Sequence, residues 1–91
     1  MNPQARKQAI IDKLTATLHP IYLDVIDESY QHIGHAGAKD GRSHFAINIV
    51  SPVFTDKPKV ARHQFIYGAL GDLMTTDIHA LRIIAAKAPE E

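Results

Sequence analysis

Residues 44–50, His-Phe-Ala-Ile-Asn-Ile-Val, decide the fold, because large apolar side chains occupy every second position along them. Phe45, Ile47 and Ile49 fall on one side of the chain, a period of two that is typical of a β-strand with one buried face. Ser51-Pro52 ends the pattern, since proline cannot donate to a sheet ladder. We therefore predict a strand over residues 44–50 whose apolar face lies in the core.

Two weaker strand patterns flank this central one. Residues 21–29 mix Tyr, Leu, Val and Ile with acidic residues, which predicts a half-buried strand with Leu23 and Val25 on one face. Residues 80–86 alternate again and predict the last strand. Residues 30–43 contain three glycines and show no periodicity, which predicts a loop. We expect the strands on either side of that loop to pair in an antiparallel manner.

An amphipathic helix is predicted over residues 2–18. Asn2 followed by Pro3 is a typical helix start, and His19-Pro20 ends the helix because the residue before proline avoids the α region. The predicted inner stripe comprises Lys7, Ile10, Ile11, Leu14 and Leu18. Arg6 is assigned to the solvent side of this helix.

A second helix is predicted over residues 58–73, after the capping residues of Thr55-Asp56 and an early proline. Gly71 marks a position where this helix can loosen or end. Its predicted inner stripe comprises Val60, His63, Ile66, Tyr67, Leu70 and either Leu73 or Met74. We expect His63 to be a buried residue that is hydrogen-bonded through its ring.

The order helix, strand, strand, helix, strand predicts the α+β class and one small αββαβ domain over residues 1–91, with a three-stranded mixed sheet and both helices on one face. A helix of about four turns suits a right-handed crossover between parallel strands. Parallel strands begin at the same edge of a sheet. His79, just before the last strand, should therefore lie near the loop over residues 30–43, with His63 at the opposite edge.

Composition excludes several functions. Ten basic and ten acidic residues among 91 cancel, so net charge does not draw the chain to nucleic acid or anionic lipid. The absence of cysteine excludes a thiolate nucleophile and a tetrathiolate metal site. No stretch approaches the ~20 apolar residues of a membrane span, and we expect a cytoplasmic protein without membrane contact. Asp27 and Glu28 point to opposite faces of a strand, so they are no catalytic pair, and we expect no enzyme activity.

The histidines are the remaining candidates for chemistry. His32 and His35 lie in the glycine-rich loop, and His79 precedes the last strand. Each of the three is either a metal ligand or a neutral surface residue, because their spacing matches no compact ligand motif. His44 opens the central strand and is interpreted as structural.

Several short motifs carry a family resemblance. They are Val25-Ile26-Asp27-Glu28-Ser29, Gly34-His35-Ala36-Gly37, Ser43-His44-Phe45, Ile49-Val50-Ser51, Val60-Ala61-Arg62-His63-Gln64 and Asp77-Ile78-His79-Ala80-Leu81. In their order and spacing, over about residues 5–89, they resemble the BolA family. The resemblance implies an αββαβ fold like the class II KH domain. It also implies a monothiol glutaredoxin as partner, with a [2Fe–2S] cluster shared between the two proteins.

The same resemblance implies the cluster ligands. His79 matches the family's C-terminal ligand and His35 the ligand of its histidine-loop members, with His32 as an alternative in the loop. The glutaredoxin cysteine and a glutathione thiolate would complete the set, as two imidazoles replace two thiolates on one iron in Rieske centres. The isolated chain would bind no cluster and would be a monomer or weak homodimer. Cluster assembly, cluster transfer and iron sensing are all compatible with this chemistry.

Nucleic-acid binding is the alternative function, since some relatives are described as transcriptional regulators and KH domains grip nucleotides through a GXXG loop. The matching turn, Thr55-Asp56-Lys57-Pro58, has no glycine and carries an acidic residue. Lys57, Lys59 and Arg62 form a basic cluster at the start of the second helix. They are candidate DNA contacts or simply a solvated helix end.

Overall fold

The computed structural model describes residues 2–29 and 43–91. Its elements are α1 Pro3–Leu18, β1 Tyr22–Asp27, β2 Ser43–Val50, α2 Lys59–Leu70, α3 Leu73–Thr76 and β3 Ile78–Lys87, with a short 3-10 helix at Pro52–Phe54 between β2 and α2. The predicted α+β class and the αββαβ order are confirmed, with α3 as a short addition. The predicted loop lies outside the described residues except for Ser43, which begins β2.

The sheet has the order β1-β2-β3, with β1 antiparallel and β3 parallel to the central strand β2. Ile47 is the midpoint of the register, opposite Val25 on one side and Ile83 on the other. The inner faces of the strands and the two long helices form one buried cluster. It includes Ile10, Leu14, Val25, Phe45, Ile47, Ile49, Phe54, Ile66, Leu70 and Ile78. The mixed sheet with helices on one face is thus confirmed.

The helix ends follow from local chemistry. Asn2 Oδ1 accepts a hydrogen bond from the Ala5 amide at 2.7 Å and caps α1, which ends at His19 in the left-handed region. Gly71 caps α2 with a φ of 52°, a conformation that favours glycine. This cap ends α2 at Leu70, and the chain restarts as α3. The predicted single helix over residues 58–73 was therefore too long.

The prediction for Arg6 was wrong. Arg6 is only 8% exposed and lies on the inner face of α1, whereas Lys7 is exposed. The buried stripe of α1 has a residue at every fourth position. It consists of Arg6, Ile10, Leu14 and Leu18. The guanidinium is tolerated there because polar groups meet it, as described below.

Three predictions for α2 were also wrong. His63 is exposed rather than buried, Val60 is 69% exposed and Tyr67 is 42% exposed. The helix instead buries Arg62, Ile66 and Leu70, a stripe that is rotated by one residue from the predicted one at its N-terminal end. Because α2 lies against only part of the sheet, the apolar residues at the border of its stripe stay in water.

Candidate functional site

His79 lies at a bulge in β3. The register pairs Ser43 with Ile78 and then His44 with Ala80, so it skips His79. A bulge of this kind re-aims the side chain of the extra residue. Ile78 is 1% exposed and anchors the start of the strand in the core, while His79 is exposed. The fold therefore holds an imidazole in solvent on a fixed backbone.

A second imidazole lies directly beside His79. The ring centroids of His44 and His79 are 4.9 Å apart and the ring planes are inclined by 53°. His44 is half-buried on β2, so it backs the exposed ring and restricts the directions that the His79 side chain can take. This pairing was not predicted, because the bulge that creates it depends on the register between strands.

Ser29 and Ser43, the described residues on either side of the segment 30–42, lie at this same edge of the sheet, where the His44 amide donates to Ser29 Oγ at 3.1 Å. The Ser43 amide donates a hydrogen bond to the Asp77 carbonyl oxygen at 3.1 Å, which joins the first residue of β2 to the residue before β3. The predicted placement of His79 beside the start of the central strand is thus confirmed. His32 and His35 themselves lie outside the described residues.

Arg6 reaches this edge from α1. Its Nη1 donates to Ser43 Oγ at 2.6 Å, and its Nε lies 3.6 Å from Asp77 Oδ1. Asp77 Oδ2 also accepts a hydrogen bond from Thr76 Oγ1 at 2.7 Å. Sequence reasoning missed Arg6, although its four-residue spacing from Ile10 was a visible signal that it faces inward.

An ion pair borders the imidazoles. Arg82 on β3 contacts both carboxylate oxygens of Glu28, at 2.6 and 3.3 Å. This hydrogen bonding, with the attraction of the carboxylate, raises the pKa of Arg82. The backbone amide of Glu28 also donates to the His44 carbonyl oxygen at 2.8 Å. The site is therefore flanked by a neutralised charge pair.

The opposite end of the sheet has a different arrangement. Arg62 is 8% exposed and donates to the carbonyl oxygens of Lys57 and Ala86, at 2.7 and 2.9 Å, and to the carboxylate of Glu91. Hydrogen bonds from Arg62 and from the Ala88 amide lower the pKa of Glu91 to about 2. Arg62 thus joins α2 to the end of β3.

His63 lines a groove near Arg62 together with residues 83–87 of β3. His79 begins the same strand, so the prediction that these two histidines lie at opposite edges is confirmed. Lys57 and Lys59 are exposed near this groove. The predicted basic cluster therefore consists of two solvated lysines and one arginine that is engaged by protein oxygens.

Within residues 2–29 and 43–91, no three His, Asp or Glu side chains come together as a metal site. An exposed imidazole at a bulge suits a different role, as one nitrogen donor to a centre that other groups complete. None of the helices in the described part of the chain has both the length and the apolar run needed to cross a bilayer.

Residues 14–91 match the model of the family described as BolA-like protein. The chain belongs to the BolA family. The BolA domain of SufE1 from Arabidopsis thaliana has a solved structure with a TM-score of 0.83 and 44% identity, over 94% of both chains. BolA1 from Mus musculus has a TM-score of 0.75 and 32% identity, over 99% of this chain and 68% of the mouse chain.

Curated BolA relatives differ in length and in name. The chain is 40% identical to protein BOLA1, chloroplastic, of Arabidopsis thaliana, over 94% of this chain and 55% of that protein. It is 44% identical to the SufE-like protein 1, chloroplastic/mitochondrial, of the same plant, over 96% of this chain and 24% of that protein. The chain therefore spans a quarter to about half of these plant relatives.

A bacterial relative has a regulatory name. The chain is 39% identical to the DNA-binding transcriptional regulator BolA of Escherichia coli, over 85% of this chain and 70% of that protein. The names of the relatives point to more than one compartment, so a cytoplasmic location stays a prediction for this chain.

Proposed function

We propose that this BolA-family chain is the partner of a monothiol glutaredoxin and shares a [2Fe–2S] cluster with it, in cluster assembly or transfer or in iron sensing. The observation that carries the proposal is the bulge at His79. It holds an exposed imidazole beside the point where the segment with His32 and His35 enters β2. His32 and His35, the candidates for the second imidazole donor, therefore lie shortly before Ser43 in the sequence, and Ser43 is the first residue of β2 at this edge.

The donor chemistry of the chain supports this reading. Without cysteine, the chain has no thiolate donor, and two imidazoles can replace two thiolates on one iron of a [2Fe–2S] cluster. His79 would hold one position and His35 the other, with His32 as the alternative. Thiolates of the glutaredoxin and of glutathione would supply the remaining two ligands.

Three described residues would contribute to that assembly. The His79 side chain is exposed beside the half-buried ring of His44, and the buried Ile78 anchors the preceding residue of β3 in the core. When bound, the cluster supplies one-electron redox chemistry or transferable iron and sulfide. Neutral imidazole in place of thiolate makes the centre less negative, which favours a higher reduction potential.

Replacing His79 by alanine tests the proposal. The protein is mixed with a monothiol glutaredoxin, glutathione, Fe³⁺ and sulfide without oxygen, and visible circular dichroism is recorded against the glutaredoxin alone. The wild type should alter the spectrum, and His79→Ala should abolish the difference. The matched control is His63→Ala, which changes an exposed histidine at the opposite edge and should retain the altered spectrum. Both variants should stay within about 0.5 kcal/mol of wild-type stability, since both side chains are exposed.

The same experiment assigns the loop ligand. His35→Ala should abolish the altered spectrum and His32→Ala should retain it, and the reverse result would make His32 the ligand. An unchanged mixed-ligand spectrum with His79→Ala would refute the role of His79.

DNA binding is a second candidate function, favoured by the name of the Escherichia coli relative and by two exposed lysines at the start of α2. Arg62 is the weakest of the three candidate contacts, because its donors already serve Lys57, Ala86 and Glu91. If Lys57 and Lys59 meet phosphates, the slope of log K against log salt should fall by about 2 in the variant Lys57→Glu with Lys59→Glu. An unchanged slope would refute this interface.

A further inference from the structure

We propose that Arg6 is a positioning residue for His79. This inference deepens the proposed function and rests on it for the role of His79. Arg6 acts through Ser43 and Asp77, the two residues where the chain enters β2 and approaches β3, with Nη1 at 2.6 Å from Ser43 Oγ and Nε at 3.6 Å from Asp77 Oδ1.

Arginine is well suited to this position. The guanidinium is a rigid fork of donors, so one side chain can meet a hydroxyl and a carboxylate in fixed relative positions. The contacts are largely shielded from solvent, since Ser43 is 4% exposed and the side chains of Arg6 and Asp77 are 10% and 16% exposed. Burying a cation is costly unless its partners are well placed. Arg6 can therefore remain in the core stripe of α1 only while Ser43 and Asp77 hold their places.

The positions of Ser43 and Asp77 determine the geometry of the bulge at His79. Ser43 also donates its amide to the Asp77 carbonyl oxygen at 3.1 Å, and Ser43 pairs with Ile78 in the register that skips His79. Without the guanidinium, the Ser43 hydroxyl loses a buried hydrogen-bond donor and the Asp77 carboxylate loses the positive charge that lies 3.6 Å away, so both groups gain stability by turning toward water. Asp77 lies two residues before His79, so movement of Asp77 changes the backbone that leads into the bulge on the N-terminal side of the buried Ile78. Arg6 thus sets where the imidazole lies relative to Ser43, the first residue of β2.

The structure provides a matched control. Arg62 has the same 8% exposure and also donates to protein oxygens, but it lies at the other end of β3. Arg6→Met and Arg62→Met both remove a buried guanidinium and keep an unbranched apolar stem. Both should lower stability. Only Arg6→Met should disturb the edge that carries His79.

The first measurement uses the lone protein, by amide hydrogen exchange and nitrogen-15 NMR. In Arg6→Met, the Ser43 amide should exchange at least about tenfold faster than in Arg62→Met, after correction for global stability, because its opening becomes local. The amide signals of Asp77, Ile78 and His79 should shift in Arg6→Met and stay in place in Arg62→Met. Equal exchange and unshifted signals in Arg6→Met would overturn the proposal.

The second measurement uses the complex with glutaredoxin, glutathione, Fe³⁺ and sulfide. Arg6→Met should move the visible circular dichroism toward that of glutaredoxin alone and change the reduction potential, Arg6→Lys should recover part of both, and Arg62→Met should leave both as in the wild type. A wild-type spectrum and potential in Arg6→Met would overturn the proposal. Ser43→Ala, which removes only the 2.6 Å hydrogen bond, replaces Arg6→Met under the same criteria if the latter does not fold.

The two measurements distinguish a failure of this inference from a failure of the proposed function. A wild-type protein that leaves the glutaredoxin spectrum unaltered would refute the proposed function. The measurement on the lone protein would still decide whether Arg6 holds His79 in place.

Discussion

Replacing Ile78 by alanine should cost several times more stability than replacing Ile84, although both isoleucines lie on β3. Ile78 is 1% exposed and packs in the core, whereas Ile84 is 44% exposed at a second position that the register skips. Alanine removes three carbons from isoleucine, and at about 0.8 kcal/mol for each buried group the transfer loss at Ile78 is about 2.4 kcal/mol. The cavity left behind raises the loss to about 3–4 kcal/mol.

At Ile84 roughly half of the side chain is buried and solvent can fill the space, so the expected loss is about 1 kcal/mol. A domain of 91 residues has a free energy of unfolding of roughly 5–14 kcal/mol, so both variants should fold. In urea, with an m-value of about 1 kcal/mol/M, the unfolding midpoint should fall by about 3 M for Ile78→Ala and about 1 M for Ile84→Ala. Equal losses of stability in the two variants would refute the register between β2 and β3 in which Ile78 is buried directly before His79.

Two further predictions concern stability away from this edge. Ser51→Ala should cost about 1–3 kcal/mol in urea unfolding, because the buried Ser51 hydroxyl donates to the Leu18 carbonyl oxygen and its loss leaves that acceptor unsatisfied; a loss below about 0.5 kcal/mol would show that this bond has no net value. The pKa of Glu91 is lowered from 4.5 to about 2 by Arg62, so its ionised form stabilises the fold above pH 4.5 and this contribution disappears as the pH falls to about 2. Thermal unfolding of Glu91→Gln should therefore depend less on pH across that window than the wild type, and parallel curves would contradict the pairing.

The strands illustrate how much of the fold could be predicted from sequence. Alternation along residues 44–50 predicted the central strand and the burial of Phe45, Ile47 and Ile49, and all three are at most 1% exposed. This worked because the period of two is a property of the backbone itself. The prediction missed the start of β3 at Ile78 and His79. The register skips His79, and such a bulge interrupts the two-residue alternation by which a strand is recognised.

The candidate site was predictable in part. The parallel crossover predicted that His79 would lie at the edge where β2 begins, and the hydrogen bond between Ser43 and Asp77 joins those two points. The neighbouring ring of His44 and the inward direction of Arg6 were not predicted. Both depend on contacts between residues at least 34 positions apart in the sequence, namely His44 with His79 and Arg6 with Ser43.

The order of the elements, the parallel partner of the central strand and the lack of a thiolate ligand could all be read from the sequence. Which polar residues enter the core and which apolar ones stay in water depended on tertiary contacts. Arg6 and Arg62 are buried because acceptors from distant strands meet them, and His63 is exposed because it lies outside the stripe of Arg62, Ile66 and Leu70 that α2 buries. Periodicity records which side of an element faces inward, but the partners on that side are supplied by the rest of the chain.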